Sequence, residues 1–244
     1  MSTLGGDDHA SALRAFGDSQ TGTAGIVIVS AHWQDSPPIR VTSWESAPLI
    51  YDFGGFPPEL YRIQYPAKGS PQLAGRVVDL LHSAALEPAR GLDHGAWVPL
   101  RLAWPNPPCP VVQVSLPIAE PERLFRLGEA LRPLRDEGVI VIGSGGIVHN
   151  LSRVNLGHKK APVEQWAADF DSWVANEIVA RRYDNVFAYR TSAPYAGLAV
   201  PSSEHFDPLF VTLGAGVPDD GLRTIFEGFQ YGNLSMRSFS LDRV

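Results

Sequence analysis

Short runs of apolar, mostly β-branched residues alternate along this chain with segments in which apolar residues recur at helical spacing. The runs at 25–31 ("GIVIVSA"), 111–116 ("VVQVSL") and 139–146 ("VIVIGSGG") are typical of buried strands. Strands that alternate with helices predict an α/β fold with a central mixed, partly parallel β-sheet flanked by helices. No linker or internal repeat interrupts the pattern, so residues 1–244 are expected to form a single domain.

Two amphipathic helices are predicted between the first and the third of these strands. In "SPQLAGRVVDLLHSA", Ser70 is a suitable N-cap, and Pro71 suits the first helical position. The second helix, "EPERLFRLGEALRPLRDEG", is expected to end at Gly138 and to kink at Pro133.

Local signals are weaker in the C-terminal part of the chain. We predict a long helix over 162–182, an irregular connection over 183–201, and a short helix that starts at Ser202 or Ser203. The tail "GNLSMRSFSL" predicts a final strand. One face of the long helix is assigned to Val163, Trp166, Ala167, Phe170, Trp173 and Val174.

Charge and composition narrow the possible partners and the compartment. A net charge of −6 without a basic cluster argues against nucleic-acid binding. No apolar run reaches the roughly 18–20 residues needed to cross a membrane, and the first residues lack the pattern of a secretory signal. The single cysteine, Cys109, excludes an internal disulfide framework and is expected to be an inert packing residue. A cytoplasmic location is therefore predicted.

Four of the seven histidines lie where ligands bind in α/β proteins, beyond the carboxyl ends of strands. His32 ends the first strand, His149 follows the third, and His94 lies in a Gly-flanked loop. His205 is expected in the first turn of a helix, where the dipole favours the neutral ring that a metal requires. The pattern indicates a shared metal site, although each histidine alone could be a hydrogen-bonded core residue.

The remaining histidines and motifs carry less functional information. His82 and His158 are expected to be surface or structural residues, and His9 to be solvated. "GSGGIVHN" is neither a dinucleotide fingerprint nor a phosphate loop followed by Lys and Ser/Thr. No G-x-S-x-G nucleophile elbow occurs, which argues against a serine hydrolase.

Six ordered blocks resemble the DOPA-type extradiol ring-cleavage dioxygenases of the class III, LigB-like superfamily. They are "VSAHW", "DFGGFPPELY", "YPAKGSP", "LDHGAW", "GSGGIVHNL" and "SEHFDPL". The resemblance implies that His32 and His205 are metal ligands, and that His94 and His149 form a second pair of active-site histidines. His149 would be the acid/base and could also bind the metal when substrate is absent. Tyr51 and Asp52, in the loop from Tyr51 to Pro57, would contact the substrate.

One family motif lies outside this sequence. Family members begin with a strand that ends in His-Gly-Ser-Pro, whose histidine is a third metal ligand, and Met1 aligns just after that motif. We expect the true start to lie upstream, with natural truncation as the alternative. The sequence as given should bind metal poorly unless His149 supplies the missing ligand.

The resemblance implies a non-haem metal-dependent dioxygenase that uses dioxygen to open a small catechol such as DOPA to a muconic semialdehyde. Fe(II) is the expected metal because a few ligands on one side leave adjacent positions open for catecholate and dioxygen. Zn(II) is the alternative, since neutral histidines also suit zinc and zinc can activate water for hydrolysis. A non-catalytic binding protein of the same fold is the third hypothesis.

Overall fold

Five strands build the central sheet of the protein, whose computed structural model describes residues 6–243. They are β1 (Gly25–Asp35), β2 (Ile39–Thr42), β3 (Ala84–Glu87), β4 (Val111–Pro117) and β5 (Val139–Ser144). Their spatial order is β3-β2-β4-β1-β5. β1 pairs in parallel with β4 and β5, and β2 in parallel with β3, whereas β2 and β4 are antiparallel. The predicted mixed, partly parallel sheet is confirmed.

Two small antiparallel sheets follow in the C-terminal part. β6 (Gly221–Phe226) pairs with β9 (Ser238–Asp242), and β7 (Phe229–Gln230) pairs with β8 (Leu234–Ser235). The single final strand expected in "GNLSMRSFSL" is therefore wrong in detail. The tail is split between β8 and β9, which lie in different sheets, and neither belongs to the central one.

The helices that flank the sheet within residues 6–243 are short to medium in length. They are α1 (Asp8–Ser19), α2 (Pro71–Leu81), α3 (His94–Ala103), α4 (Pro121–Leu131), α5 (Gln165–Val179), α6 (Tyr183–Phe187), α7 (Tyr189–Ser192), α8 (Ala196–Ala199) and α9 (Pro208–Ala215). Two further turns, Pro58–Arg62 and Arg132–Glu137, are 3₁₀-helical. None of the helices in this described part combines the length and apolarity that a membrane span requires.

β1 is buried on both faces, which explains its unbroken apolar run. Ile26 and Ile28 pack into a core with Trp97 of α3, whereas Val27 and Val29 face a second core that contains Phe210 of α9. Side chains alternate between the faces of a strand, so a strand covered by helices on both sides is apolar at every position.

The two amphipathic helices predicted between β1 and β5 are largely correct. Ser70 caps α2, and its Oγ accepts a hydrogen bond from the backbone N–H of Leu73 at 3.1 Å. The helix expected over 120–138 is α-helical only as far as Leu131. It continues as a 3₁₀ turn from Arg132, one residue before Pro133, where a kink was predicted. Gly138 ends that turn with φ of +75°, a left-handed conformation that glycine adopts without strain.

The C-terminal predictions need larger corrections. α5 is shorter than 162–182, and Val163 lies before it and is exposed. The region 183–201, expected to be irregular, contains α6, α7 and α8. The helix expected to start at Ser202 or Ser203 begins at Pro208, because Pro208 supplies the fixed φ of a first helical residue and the preceding residues form a separate turn.

The three remaining histidines and the cysteine can be compared with expectation. His9 is buried in α1, contrary to the prediction, because the β6–β9 sheet covers it. Its ring centroid lies 5.2 Å from that of Phe226. His82 and His158 are exposed, as expected. Cys109 is buried, and burial raises the pKa of its thiol to about 11, which agrees with a packing residue.

Candidate functional site

Four histidines from separate parts of the chain meet at one edge of the central sheet. The ring centroids of His32 and His94 are 4.0 Å apart, and those of His32 and His205 are 5.2 Å apart. His149 stacks on His205 with centroids 3.6 Å apart and an angle of 12° between the ring planes. The structure thus brings together the four histidines that the sequence singled out, and we refer to them as the histidine cluster.

His32 lies within β1 rather than at its end, which corrects the sequence-based expectation. Val29 pairs with Val114 and Gln34 with Leu116, so the register with β4 is interrupted between them. Pairing with β5 ends at Ser30. Extra residues in one strand bend it and re-aim its side chains, a device that is frequent next to functional sites. His32 lies in this interrupted stretch.

His94 is the first residue of α3, whereas the sequence predicted that it lies in a Gly-flanked loop. Asp93 caps the helix by accepting a hydrogen bond from the backbone N–H of Ala96 at 3.1 Å. Pro99 inside α3 obscured the helical pattern in the sequence. The cap fixes the backbone of His94 relative to the helix axis.

Asp52 contacts both His32 and His94. One carboxylate oxygen lies 3.1 Å from Nδ1 of His32, and the other lies 3.0 Å from Nδ1 of His94 and accepts the backbone N–H of His94 at 2.8 Å. Burial alone would raise the pKa of Asp52, but the contacts with the two histidines outweigh it and lower the pKa below its usual range. Asp52 is therefore a carboxylate at physiological pH.

Tyr51, the other residue expected on the substrate side, has its hydroxyl engaged elsewhere. The hydroxyl donates a hydrogen bond to the backbone carbonyl of Ile63 at 2.6 Å. Its ring packs against Trp97 and Phe53, with centroids 5.8 and 6.1 Å away. Phe53 in turn lies 5.4 Å from the His94 ring. Sequence reasoning missed Phe53, although it stands in the same "YDFGGFP" loop.

A second glycine-rich segment holds His205. The backbone N–H of Gly146 donates to the carbonyl of His205 at 2.7 Å, and a Cβ on Gly145 would lie 2.1 Å from that carbonyl oxygen. The loop after β5 can therefore approach His205 this closely only with glycine at position 145. The backbone N–H of His149 donates to the carbonyl of Ala199 at 3.1 Å, which fixes the other stacked ring.

Burial keeps the stacked pair of imidazoles neutral. It lowers the pKa of His149 and lowers that of His205 to about 2, and nearby histidines add to both shifts. The sequence predicted that His205 lies in the first turn of a helix, whose dipole would keep the ring neutral. His205 instead lies in a turn before α9, so its neutrality comes from burial. Neutral imidazole is the form that binds a metal ion.

The donor chemistry of the cluster fits a divalent transition metal. Ligand atoms of His32, Asp52 and His94 all lie within 4.8 Å of one another, and His205 and His149 add two neutral imidazoles. Imidazole with carboxylate suits iron and zinc, whereas calcium and magnesium prefer oxygen donors alone. With its Nδ1 against Asp52, His32 has its Nε2 free for a metal, an arrangement common in histidine metal sites.

Comparisons with known proteins agree with this chemistry. A family model described as "Catalytic LigB subunit of aromatic ring-opening dioxygenase" matches residues 8–235. The 4,5-DOPA dioxygenase extradiol of Beta vulgaris is 41% identical over 221 residues, which cover 88% of this chain and 81% of the relative. The 4,5-DOPA dioxygenase extradiol of Escherichia coli (strain K12) is 37% identical over 222 residues, with the same coverage of 88% and 81%.

The fold is also similar to that of a solved structure. The crystal structure of an uncharacterized protein from Escherichia coli K12 aligns with a TM-score of 0.81 and 31% sequence identity. The alignment covers 97% of this chain and 93% of that one. The likeness therefore extends over the central sheet, the flanking helices and the segments that carry the histidines.

Proposed function

Because this chain belongs to the LigB family of aromatic ring-opening dioxygenases, we propose that it is an extradiol dioxygenase that opens the ring of a small catechol with dioxygen. The substrate we propose is a catechol with a side chain, such as DOPA, since relatives that are 37–41% identical are named 4,5-DOPA dioxygenase extradiol. The observation that carries the proposal is the convergence of four histidines and Asp52 at one edge of the sheet.

We propose that His32 and His205 hold the metal, with His149 as a further ligand when no substrate is bound. Fe(II) is the proposed metal and Zn(II) the alternative. When bound, Fe(II) would lower the pKa of the catechol hydroxyls and pass electron density between catecholate and dioxygen. Asp52 supports this arrangement by keeping the proton of His32 on Nδ1, which leaves Nε2 unprotonated.

His149 is the proposed general base. Burial lowers its pKa, so the ring is neutral and can accept a proton from a catechol hydroxyl. The same ring can return the proton to an oxygen of the substrate later in the reaction. His94, held by Asp52, is the proposed hydrogen-bond donor to the oxygen on which negative charge develops.

The loop from Tyr51 to Pro57 provides an aromatic wall beside these histidines. Phe53 contacts His94 and lies 5.0 Å from Tyr61 and 6.1 Å from Tyr51, measured between ring centroids. We propose that the catechol ring packs against this wall and that Tyr51 contributes through its ring. The Asp52 side chain is still 26% exposed, so we propose that its carboxylate also attracts an amine on the substrate side chain.

Anaerobic reconstitution followed by oxygen tests the function. The protein is loaded with Fe(II), mixed with DOPA, and then exposed to oxygen. We expect oxygen uptake together with a yellow muconic semialdehyde. His149→Asn should lower kcat by about a hundredfold to ten-thousandfold, because it removes the general base. His82→Asn, at an exposed histidine, is the matched control and should keep the wild-type rate.

The same experiment tests the metal and the alternatives. Protein that binds Fe(II) but neither takes up oxygen nor changes any of several catechols contradicts the dioxygenase proposal. Zn(II)-loaded protein that converts a substrate in the absence of oxygen would favour a hydrolase instead. A chain that binds neither metal would favour the non-catalytic hypothesis.

A further inference from the structure

Beneath the histidine cluster lies a buried carboxylate that the proposed mechanism does not use. Asp93 is fully buried, and four donors surround it. Its Oδ1 accepts the Ser30 hydroxyl at 2.7 Å and the backbone N–H of Ala96 at 3.1 Å. Its Oδ2 accepts Nε2 of Gln113 at 2.6 Å and Nη2 of Arg90 at 3.3 Å. We call Asp93, Ser30, Gln113 and Arg90 the Asp93 network.

Both backbone groups of His32 are attached to this network. Its N–H donates to the Ser30 Oγ at 3.1 Å, and its carbonyl accepts Nη2 of Arg90 at 3.2 Å. The guanidinium of Arg90 lies 4.6 Å over the Trp33 ring, which restricts its position. Ladder pairing with β5 ends at Ser30 and pairing with β4 is interrupted until Gln34. The Asp93 network therefore holds His32 where the sheet does not.

The same carboxylate also fixes His94. Asp93 is the N-cap of α3, and His94 is the first residue of that helix. One buried side chain thus connects the backbones of two histidines that come from a strand and a helix. The space between them is closely filled, because a Cβ on Gly95 would lie 2.3 Å from the Ser30 Oγ and 3.0 Å from the His32 ring.

We propose that Asp93 is a positioning residue that fixes the separation of His32 and His94 through its hydrogen bonds. The inference rests on the proposed function only in that both involve the same metal site. Buried polar networks restrict the geometry of the groups they join, and here Ser30, Gln113 and Arg90 all donate to the Asp93 carboxylate. Among the described residues, Nε of Arg90 and Oε1 of Gln113 have no hydrogen-bond partner, so the network is held through Asp93 itself. Polar groups behind metal ligands orient them, and their mutation typically costs about tenfold to hundredfold in metal affinity or activity.

Two variants separate the link from Asp93 to His32 from the link between Asp93 and His94. Asp93→Asn leaves one acceptor oxygen, so the amide NH₂ must face either the donors of Arg90 and Gln113 or those of Ser30 and Ala96. Loss of the negative charge also weakens the remaining hydrogen bonds, so the links to both histidines are disturbed. Ser30→Ala removes only the hydrogen bond to the N–H of His32, because Arg90 still donates to the His32 carbonyl and Asp93 still caps α3 through Ala96. Ser70→Ala is the matched control, since it removes the cap of α2 at a distance from the cluster.

Histidine side-chain NMR of the metal-free protein is the first readout. In Asp93→Asn, the ¹H–¹⁵N signals of both His32 and His94 should shift, whereas those of exposed His82 and His158 should not. In Ser30→Ala, only His32 should shift. If Asp93→Asn does not fold, Ser30→Ala decides the outcome. Ser70→Ala should lower the unfolding temperature without moving either signal.

Metal affinity and kinetics provide the second readout. We expect Co(II) affinity to fall about tenfold to hundredfold in Asp93→Asn, with a lower kcat and little change in KM for the catechol. Adding Gln113→Glu to Asp93→Asn restores a carboxylate opposite the new amide and should recover part of the loss. Unshifted His32 and His94 signals with wild-type Co(II) affinity would overturn the proposal. If the variants shift the histidine signals but the Fe(II)-loaded wild type takes up no oxygen with any catechol, the dioxygenase function is refuted and the positioning role stands.

Discussion

At the scale of single residues, Asp52 determines which nitrogen of His32 carries the proton. The carboxylate lies 3.1 Å from Nδ1, so Nδ1 is protonated and Nε2 has the free lone pair. The same carboxylate binds the backbone N–H of His94. One side chain from the loop before α2 thus fixes the orientation of two rings, one from β1 and one from α3.

Asp52→Asn should weaken metal binding and catalysis together. An amide has only one acceptor oxygen, so it cannot serve both the His32 Nδ1 and the His94 backbone N–H. We expect about a tenfold to hundredfold loss of Fe(II) affinity and a comparable loss of kcat/KM, as is typical of carboxylates behind metal-bound histidines. Metal titration and steady-state kinetics measure both. Asp18→Asn, at an exposed carboxylate, is the control, and equal behaviour of the two variants would contradict this role.

Sequence patterns located the four histidines but not the function of Asp52. A histidine after a β-branched run or a Gly-rich loop has a local signal. The pairing of Asp52 with His32 and His94 depends on how a loop folds over the sheet, and nothing local indicates it. The same holds for Asp93, whose partners Ser30 and Gln113 lie 63 and 20 residues away in the chain.

At the scale of elements, the loop after β5 must pass close to the segment that carries His205. Gly145 is exposed, so a substitution by alanine would be judged harmless from exposure alone. A Cβ there would lie 2.1 Å from the His205 carbonyl oxygen, a backbone atom that can move only if the whole turn before α9 moves. The glycine is thus required by the site rather than by the stability of β5.

Gly145→Ala should therefore reduce metal affinity by at least about tenfold, because it displaces a proposed ligand. Gly75→Ala is the matched control, since a Cβ at this position in α2 meets nothing within 4 Å. That control should raise the free energy of unfolding by about 0.5–1 kcal/mol, because alanine favours the helix, and leave metal binding unchanged. Metal titration and urea unfolding of both variants test this. Wild-type metal affinity in Gly145→Ala would show that the turn can shift freely.

The elements that the sequence predicted well are those with local signals. β1, β4, β5 and α2 have β-branched runs or a Ser-Pro start, and all are present. Region 183–201 gave no such signal. Its short helices depend on contacts made in the folded protein, such as the packing of the Tyr189 ring 4.6 Å from that of Phe206. Helices of four or five residues are unstable alone, so their formation cannot be derived from the local pattern.

At the scale of the whole molecule, the ion pair of Arg135 with Asp220 joins the C-terminal strands to the central fold. Arg135, in the 3₁₀ turn after α4, contacts both carboxylate oxygens of Asp220 at 2.6 and 3.0 Å. It also donates to the carbonyls of Ala215, at the end of α9, and of Leu241, in β9. The Asp220 side chain is fully buried, so the pair is shielded from solvent.

This ion pair should make stability depend on pH in the acid range. Burial alone would raise the pKa of Asp220, but hydrogen bonds from Arg135 and the Val217 backbone outweigh it and lower the pKa. Because the folded pKa lies below the unfolded value of about 3.9, the contribution is present above about pH 4 and is lost as the pH falls further. The free energy of unfolding of the wild type, measured in urea between about pH 7 and pH 3, should therefore decrease below about pH 4.

Asp220→Asn should cost about 3–5 kcal/mol of unfolding free energy near neutral pH, because it leaves the Arg135 guanidinium buried without its counter-charge. The difference from the wild type should shrink as the pH falls below about 4, where Asp220 of the wild type becomes protonated as well. Asp136→Asn, at an exposed carboxylate, should behave like the wild type at every pH. A loss in Asp220→Asn that stays constant across the range would mean that the charge of Asp220 contributes nothing and that only its shape and hydrogen bonds matter.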